Sequence, residues 1–176
     1  MLSISEIKAL IDEYANSKFA EGVMKRAWNK KYIPGHAPYN NTDDCYHKWL
    51  EIIDKNQPRL SKIALFEELH EEVSKLKIKG IGELSIYDTA TLIGCPKGVY
   101  PTKVYLHAGT AEGARTLGIE GKIVDKSEFV KVCPDFNVLT PIQIEDFLCI
   151  YKSHLQGNPK DINSICCCCI RIEDKE

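Results

Sequence analysis

Residues 78–90 read IKGIGELSIYDTA, and within this stretch Gly80 and Gly82 flank a single isoleucine. Glycine tolerates a positive φ and has no Cβ, so a turn here can bring consecutive backbone N–H groups close to a ligand. Helical patterns lie on both sides, and the unpaired N–H groups at the start of the second helix favour an anion. The stretch therefore predicts a tight hairpin between two helices, with a phosphate as its natural ligand.

The charge of the chain is uneven. The whole chain carries a net charge of -2, whereas residues 75–103 hold five lysines against two acidic residues. Proteins that coat nucleic acid over their whole surface are usually strongly basic, so only a local phosphate contact is expected. A second basic stretch, residues 18–31, sets five basic residues against Glu21 alone. The alternative for both stretches is a solvated helix face.

Length and composition are those of an ordinary globular chain. The 176 residues fit one domain, and apolar residues make up 44% and charged residues 27% of them. The sequence contains no apolar run of the roughly 18 to 20 residues that a membrane span requires, and its first ten residues lack a signal-peptide pattern. We therefore expect a cytoplasmic protein that does not enter a membrane.

Apolar residues recur at helical spacing along most of the chain. This spacing predicts an all-α fold, a compact multi-helix bundle. Residues 1–160 are expected to form a single helical domain, with the hairpin and its two helices at about 66–93, and residues 161–176 a tail or short strand. The expected helices are 4–14, 18–31, 42–55, 58–76, 85–93, 110–117, 125–132 and 140–156.

Three helix starts have specific signals. Thr140, Pro141 and Gln143 together predict a capping box for the last helix, and Gly157 predicts its end. Pro58 is expected in the first turn of the helix before the hairpin, where proline is favoured. Ser85 is expected to cap the helix after the hairpin.

The run Ile78 to Gly82, between two helices, resembles the helix-hairpin-helix motif of DNA repair and processing proteins. The longer layout to Gly118 resembles the DNA glycosylase superfamily in which that motif is embedded. The resemblance implies a DNA duplex backbone as partner, bound without sequence readout, and a monovalent cation held by carbonyl groups of the turn. It also implies a set of nucleic-acid-binding residues, namely Lys77, Lys79, Gly80, Ile81, Gly82 and Ser85.

The catalytic residues of that superfamily do not carry over. Leu84 stands where the bifunctional enzymes have the lysine that attacks the sugar, and leucine forms no Schiff base. The superfamily's aspartate is expected near residues 104–108, but the sequence has no carboxylate between Asp88 and Glu112. Standard glycosylase or lyase chemistry is therefore disfavoured, with Glu112 or Asp125 as the remaining substitutes for that aspartate.

Two other functions remain open. Tyr87, Asp88 and His107 are candidate catalytic residues of a pocket for a nucleobase or nucleotide, in which Asp88 orients His107 and the N–H groups of Gly109 and Thr110 bind an anion. The alternative for Asp88 and His107 is a hydrogen bond that only packs one helix against another. A third possibility is a purely structural hairpin in a module that binds another protein.

The cysteines and histidines predict no metal site. Cys166 to Cys169 are adjacent, whereas structural zinc sites space their cysteines by about two to four residues so that a loop can wrap the ion. Cys45 and His47 lie two residues apart without further ligands nearby in the sequence. We expect no cofactor beyond the cation at the hairpin, and the sequence leaves the oligomeric state open.

Overall fold

A computed structural model describes residues 2–28 and 43–160. These residues are mostly helical, which confirms the all-α expectation in its coarse form. Within the described ranges, no helix combines the length and the apolar character needed to cross a bilayer. The tail or short strand predicted for residues 161–176 lies outside these ranges. The elements are α1 (Ile4–Ala15), α2 (Lys18–Met24), α3 (Asp43–Leu60), α4 (Phe66–Lys75), α5 (Glu83–Gly94), β1 (Val104–Tyr105), α6 (Ala108–Thr116), β2 (Ile123–Val124), α7 (Lys126–Val132) and α8 (Pro141–Leu155), with short 3-10 helices at Cys95–Lys97 and Pro134–Val138.

The chain divides into two compact units. The terminal unit joins residues 1–24 to residues 102–176, and the central unit is residues 25–101. The sequence predicts a single domain over residues 1–160. Helical periodicity predicts which face of a helix is buried, but it does not predict which helices pack together. The central unit therefore could not be recognised from this pattern.

The terminal unit is built around α8. Phe147 and Tyr151 are fully buried on this helix and their rings stack with centroids 5.0 Å apart. The predicted capping box is confirmed, since the Thr140 N–H donates to Oε1 of Gln143 at 2.9 Å. A small antiparallel pair, β1 with β2, was not predicted, because strands of two residues are too short to show an alternating pattern.

Helices α6 and α8 approach closely at Gly113. A Cβ on this glycine would lie 2.7 Å from the carbonyl oxygen of Leu148. Replacing Gly113 by Ala is expected to destabilise the protein by about 1–3 kcal/mol, because the added methyl must push two helices apart. Urea denaturation measures this change. Alanine has the higher helix propensity by about 1 kcal/mol, so a more stable variant would contradict the close approach.

The central unit packs α4 against α3 and α5, with Trp49, Leu69 and Val73 at its core. The prediction for Pro58 was wrong: this proline lies inside the last turns of α3, which ends at Leu60, and α4 begins only at Phe66. The fully buried Ile53 and Leu60 lie on one face of α3, so the apolar stripe continues past Pro58. For this reason the apolar pattern does not show where α3 ends and α4 begins. The helix predicted for residues 18–31 ends at Met24.

Candidate nucleic-acid interface

The predicted hairpin corresponds to the connector between α4 and α5, residues 76–82. The Ile81 N–H donates to the Ile78 carbonyl at 3.1 Å, which closes a four-residue turn. Gly80 occupies the third position of this turn with φ +97°, a conformation that favours glycine. The Ile81 side chain is only 2% exposed and anchors the turn, whereas Gly80 and Gly82 remain exposed.

Helix α5 begins directly behind this turn. Gly82 is its N-cap residue, with φ -95° and ψ 174°, and it has no side chain with which to cap the helix. The first bond within the helix runs from the Ile86 N–H to the Gly82 carbonyl at 3.2 Å. The N–H groups of the first turn therefore lack partners in their own helix, and the helix begins at two exposed residues, Gly82 and Glu83.

Ser85 does not cap α5. It lies within the first turn of the helix, and its buried hydroxyl is 3.2 Å from the Tyr46 hydroxyl on α3. Ser85 was expected as the cap because serine is a strong N-cap residue. The extended Gly82 is the cap instead, three residues before Ser85, so the Ser85 side chain packs between helices.

Much of the local positive charge is already paired. The Lys77 ammonium lies 2.9 Å from the Glu83 carboxylate in an exposed ion pair. Hydrogen bonds to Glu72 and Glu71 raise the pKa of Lys75. Lys79 is exposed on the turn itself. The lysine count alone therefore overstates the field at the turn, and Lys79 is the lysine best placed for an incoming anion.

His70 on α4 adds no positive charge here. Burial lowers the pKa of its imidazole, and the carboxylates of Glu83 and Glu67 oppose this shift only in part. The ordinary pKa of histidine is about 6.5, so the His70 ring is neutral at pH 7.

The central unit as a whole is nevertheless the basic part of the chain. Residues 25–101 contain twelve Lys or Arg and ten Asp or Glu, a net charge of +2, which leaves -4 for the terminal unit. Net charge alone therefore favours an anion at the central unit over the terminal unit.

Helix α3 holds the turn from one side. The Cys45 thiol donates to the Lys79 carbonyl at 2.9 Å, and a Cβ on Gly80 would lie 2.8 Å from the Cys45 sulfur. An open groove of about 540 Å³ lies between α3 and the turn. Its lining residues are Asp44, Cys45, Lys48, Glu51, Ile52, Ile78 and Lys79. Sequence reasoning missed this groove, because Cys45 and Lys79 are 34 residues apart and no local pattern connects them.

Tyr87 and Asp88, two of the candidate catalytic residues, have packing partners within the central unit. Asp88 is buried, and its carboxylate lies 3.9 Å from the Arg26 guanidinium, which is equally buried. Tyr87 is buried with its ring edge-on to Phe66, at a centroid distance of 5.9 Å. Burial raises the pKa of the nearby Cys95 thiol to about 11, and the Arg26 charge opposes this shift. Arg26 lies in the basic stretch 18–31, and its ion pair with Asp88 was not predicted from the sequence.

His107, the third candidate, belongs to the terminal unit. It is the N-cap residue of α6, and its Nδ1 lies 3.9 Å from the buried Glu145 carboxylate. The Thr110 N–H was predicted to bind an anion. It donates to the His107 carbonyl at 3.0 Å instead. Asp88 and His107 thus belong to different units. Asp88 lies beside Arg26 in the central unit, and His107 lies beside Glu145 in the terminal unit.

The metal and cation predictions concern two places. Across residues 2–28 and 43–160, no three His, Cys, Asp or Glu side chains converge to hold a metal ion. At the turn, the Ile78 carbonyl already accepts the Ile81 N–H and the Lys79 carbonyl accepts the Cys45 thiol. Each carbonyl oxygen retains a second lone pair, so a monovalent cation at the turn stays a prediction.

The interface described above combines an exposed helix start, an anchored glycine turn and one well-placed lysine. Comparisons with protein-family models, with curated proteins and with solved structures found no match to this chain.

Proposed function

We propose that the central unit binds DNA through its phosphate backbone, with α4, the connector 76–82 and α5 acting as a helix-hairpin-helix element. One observation carries this proposal: α5 begins at the exposed Gly82, directly after a turn that Gly80 and the buried Ile81 hold in place. An exposed helix start of this kind presents N–H donors and the positive end of the helix dipole, both of which favour a phosphate.

Five of the six predicted binding residues have distinct roles in this proposal, whereas Ser85 has none, because it is buried with its hydroxyl beside that of Tyr46. The backbone N–H groups of Gly82 and the first turn of α5 bind the phosphate oxygens. Gly80 supplies the positive φ and Ile81 anchors the turn, its own N–H being used by Ile78. Lys79 adds positive charge, and Lys77 does so less, because it is shared with Glu83.

Such contacts position a nucleic acid without reading its sequence. Bonds to phosphate oxygens carry no base information, so affinity should vary little between duplexes of different sequence. A monovalent cation on the carbonyl groups of the turn would offset part of the phosphate charge in the same place.

The proposal predicts a salt-dependent affinity. If about two phosphates are neutralised, affinity for a duplex should fall roughly tenfold between about 50 and about 200 mM salt, because counterions are released on binding. Replacing Lys79 by Ala should weaken binding and reduce the slope of log K against log salt by about 1. Fluorescence anisotropy with a labelled duplex measures both effects.

Lys62 supplies the control. It is exposed in the same unit but precedes α4, at the end of that helix opposite to the turn. Replacing Lys62 by Ala should leave the salt slope unchanged. A wild-type affinity that changes by less than about twofold over this salt range would contradict phosphate binding.

A further inference from the structure

We propose that the groove between α3 and the turn binds an unpaired nucleobase, so that the preferred ligand is nucleic acid with unpaired nucleotides. This inference rests on the proposed function, since it takes the phosphate at the start of α5 as given. It adds a second contact, made by the base of a neighbouring nucleotide, and thereby names the class of nucleic acid that the site prefers.

The groove has an aliphatic floor and the size of a small-molecule site. Ile52 and Ile78 are half-buried and contribute apolar surface to it. Its volume of about 540 Å³ lies within the range of about 300–1,000 Å³ that is usual for such sites. A flat nucleobase covers apolar surface of this kind with its face, whereas a base inside a duplex is stacked and paired and has no free face to offer.

The charged residues at the rim fit a base better than a second phosphate. Lys48 and Lys79 lie beside Asp44 and Glu51, and all four side chains are exposed. A groove that follows a phosphate backbone is lined by positive charge, whereas the two carboxylates here repel phosphate. Carboxylates accept hydrogen bonds from the exocyclic amino groups of bases, and ammonium groups donate to their carbonyl oxygens.

Lys79 joins the groove to the turn. It lines the groove, and it directly precedes Gly80 in the turn in front of α5. The hydrogen bond from the Cys45 thiol to the Lys79 carbonyl fixes α3 against this residue. In the proposed complex, the phosphate of one nucleotide therefore lies at the start of α5. The base of the neighbouring nucleotide lies against Ile52 and Ile78.

The first test compares two DNA ligands of equal length by fluorescence anisotropy. One is a sealed circular duplex without unpaired nucleotides, and the other is a linear duplex with a short single-stranded overhang. The overhang should bind roughly tenfold tighter, as expected for about 50 Å² of buried apolar surface. Equal affinities would overturn the inference and leave the proposed function intact, whereas binding to neither ligand would overturn both.

A groove variant locates the preference. Replacing Ile52 by Gln, which removes apolar surface without adding charge, should remove the tighter binding of the overhang and leave binding of the closed circle unchanged. The matched control is Ile63→Gln, at another half-buried isoleucine of the central unit that does not line the groove. An Ile52→Gln protein that folds, by circular dichroism, and keeps the full preference would contradict the inference.

Alkylation of Cys45 supplies a readout on the unaltered protein. Cys45 is half-buried in the groove, and a bound base should slow its reaction with iodoacetamide several-fold, as measured by mass spectrometry of its peptide. Cys149 of the terminal unit is half-buried as well and serves as the internal reference. The overhang ligand should protect Cys45 and the closed circle should not. Equal protection by both, or by neither at saturation, would contradict a base in the groove.

Discussion

Replacing Gly82 by Asp is expected to lower the affinity for DNA about tenfold to a hundredfold without destabilising the protein. Gly82 has an extended backbone that any residue adopts, and a Cβ there would meet no described atom within 4 Å. An aspartate at the N-cap accepts hydrogen bonds from the first turn of the helix and stabilises it by a few tenths of a kcal/mol relative to glycine. The aspartate carboxylate accepts hydrogen bonds from the N–H groups proposed to bind the phosphate, and its charge repels the phosphate. The binding free energy therefore loses the contribution of a charged hydrogen bond, about 1.5–3 kcal/mol.

The matched control is Gly82→Asn. Asparagine caps a helix about as well as aspartate but carries no charge. The affinity of the Gly82→Asn protein for DNA should therefore lie between those of the wild type and the Gly82→Asp protein. Anisotropy measures the affinities and urea denaturation the stabilities. If both variants fold and bind DNA as the wild type does, the turn is not the phosphate site, and a structural turn in a protein-binding module becomes the better explanation.

Replacing Asp88 by Asn should produce the largest loss of stability, about 3–5 kcal/mol, since it removes the negative charge that lies 3.9 Å from the Arg26 guanidinium, where both side chains are only 10% exposed. A loss of this size is a large part of the stability of a typical domain, which is about 5–15 kcal/mol. Urea denaturation followed by circular dichroism measures it. The enzyme hypothesis predicts a different outcome, in which activity is lost and the fold and duplex binding are unchanged.

Two controls accompany this substitution. Asp135→Asn removes an exposed ion pair, in which the Asp135 carboxylate lies 2.5 Å from the Lys8 ammonium, and should cost less than about 1 kcal/mol. The double variant Arg26→Met with Asp88→Leu removes both buried charges and should recover most of the lost stability. An Asp88→Asn protein as stable as the wild type would show that Arg26 does not depend on this carboxylate.

Helix positions and several helix ends follow from the sequence alone. Thr140 was expected as a cap and is the N-cap residue of α8, and Gly157, expected just after the end of that helix, follows the C-cap residue with φ +78°. The two helices beside the Gly80 turn were predicted as well, and Gly80 has the positive φ that its pattern implied. These features depend on hydrogen bonds and side-chain contacts between residues three or four apart, which a single stretch of sequence already contains.

Only the tertiary structure shows how the candidate site is assembled. The Cys45 thiol on the Lys79 carbonyl, the Tyr46 hydroxyl against Ser85, and Arg26 beside Asp88 all join residues far apart in the chain. A thiol, a hydroxyl or a guanidinium has many possible partners of similar energy, so its choice depends on which helices pack together. That packing arises from the burial of apolar surface, which is non-directional. No local sequence pattern therefore identifies the partner of such a group.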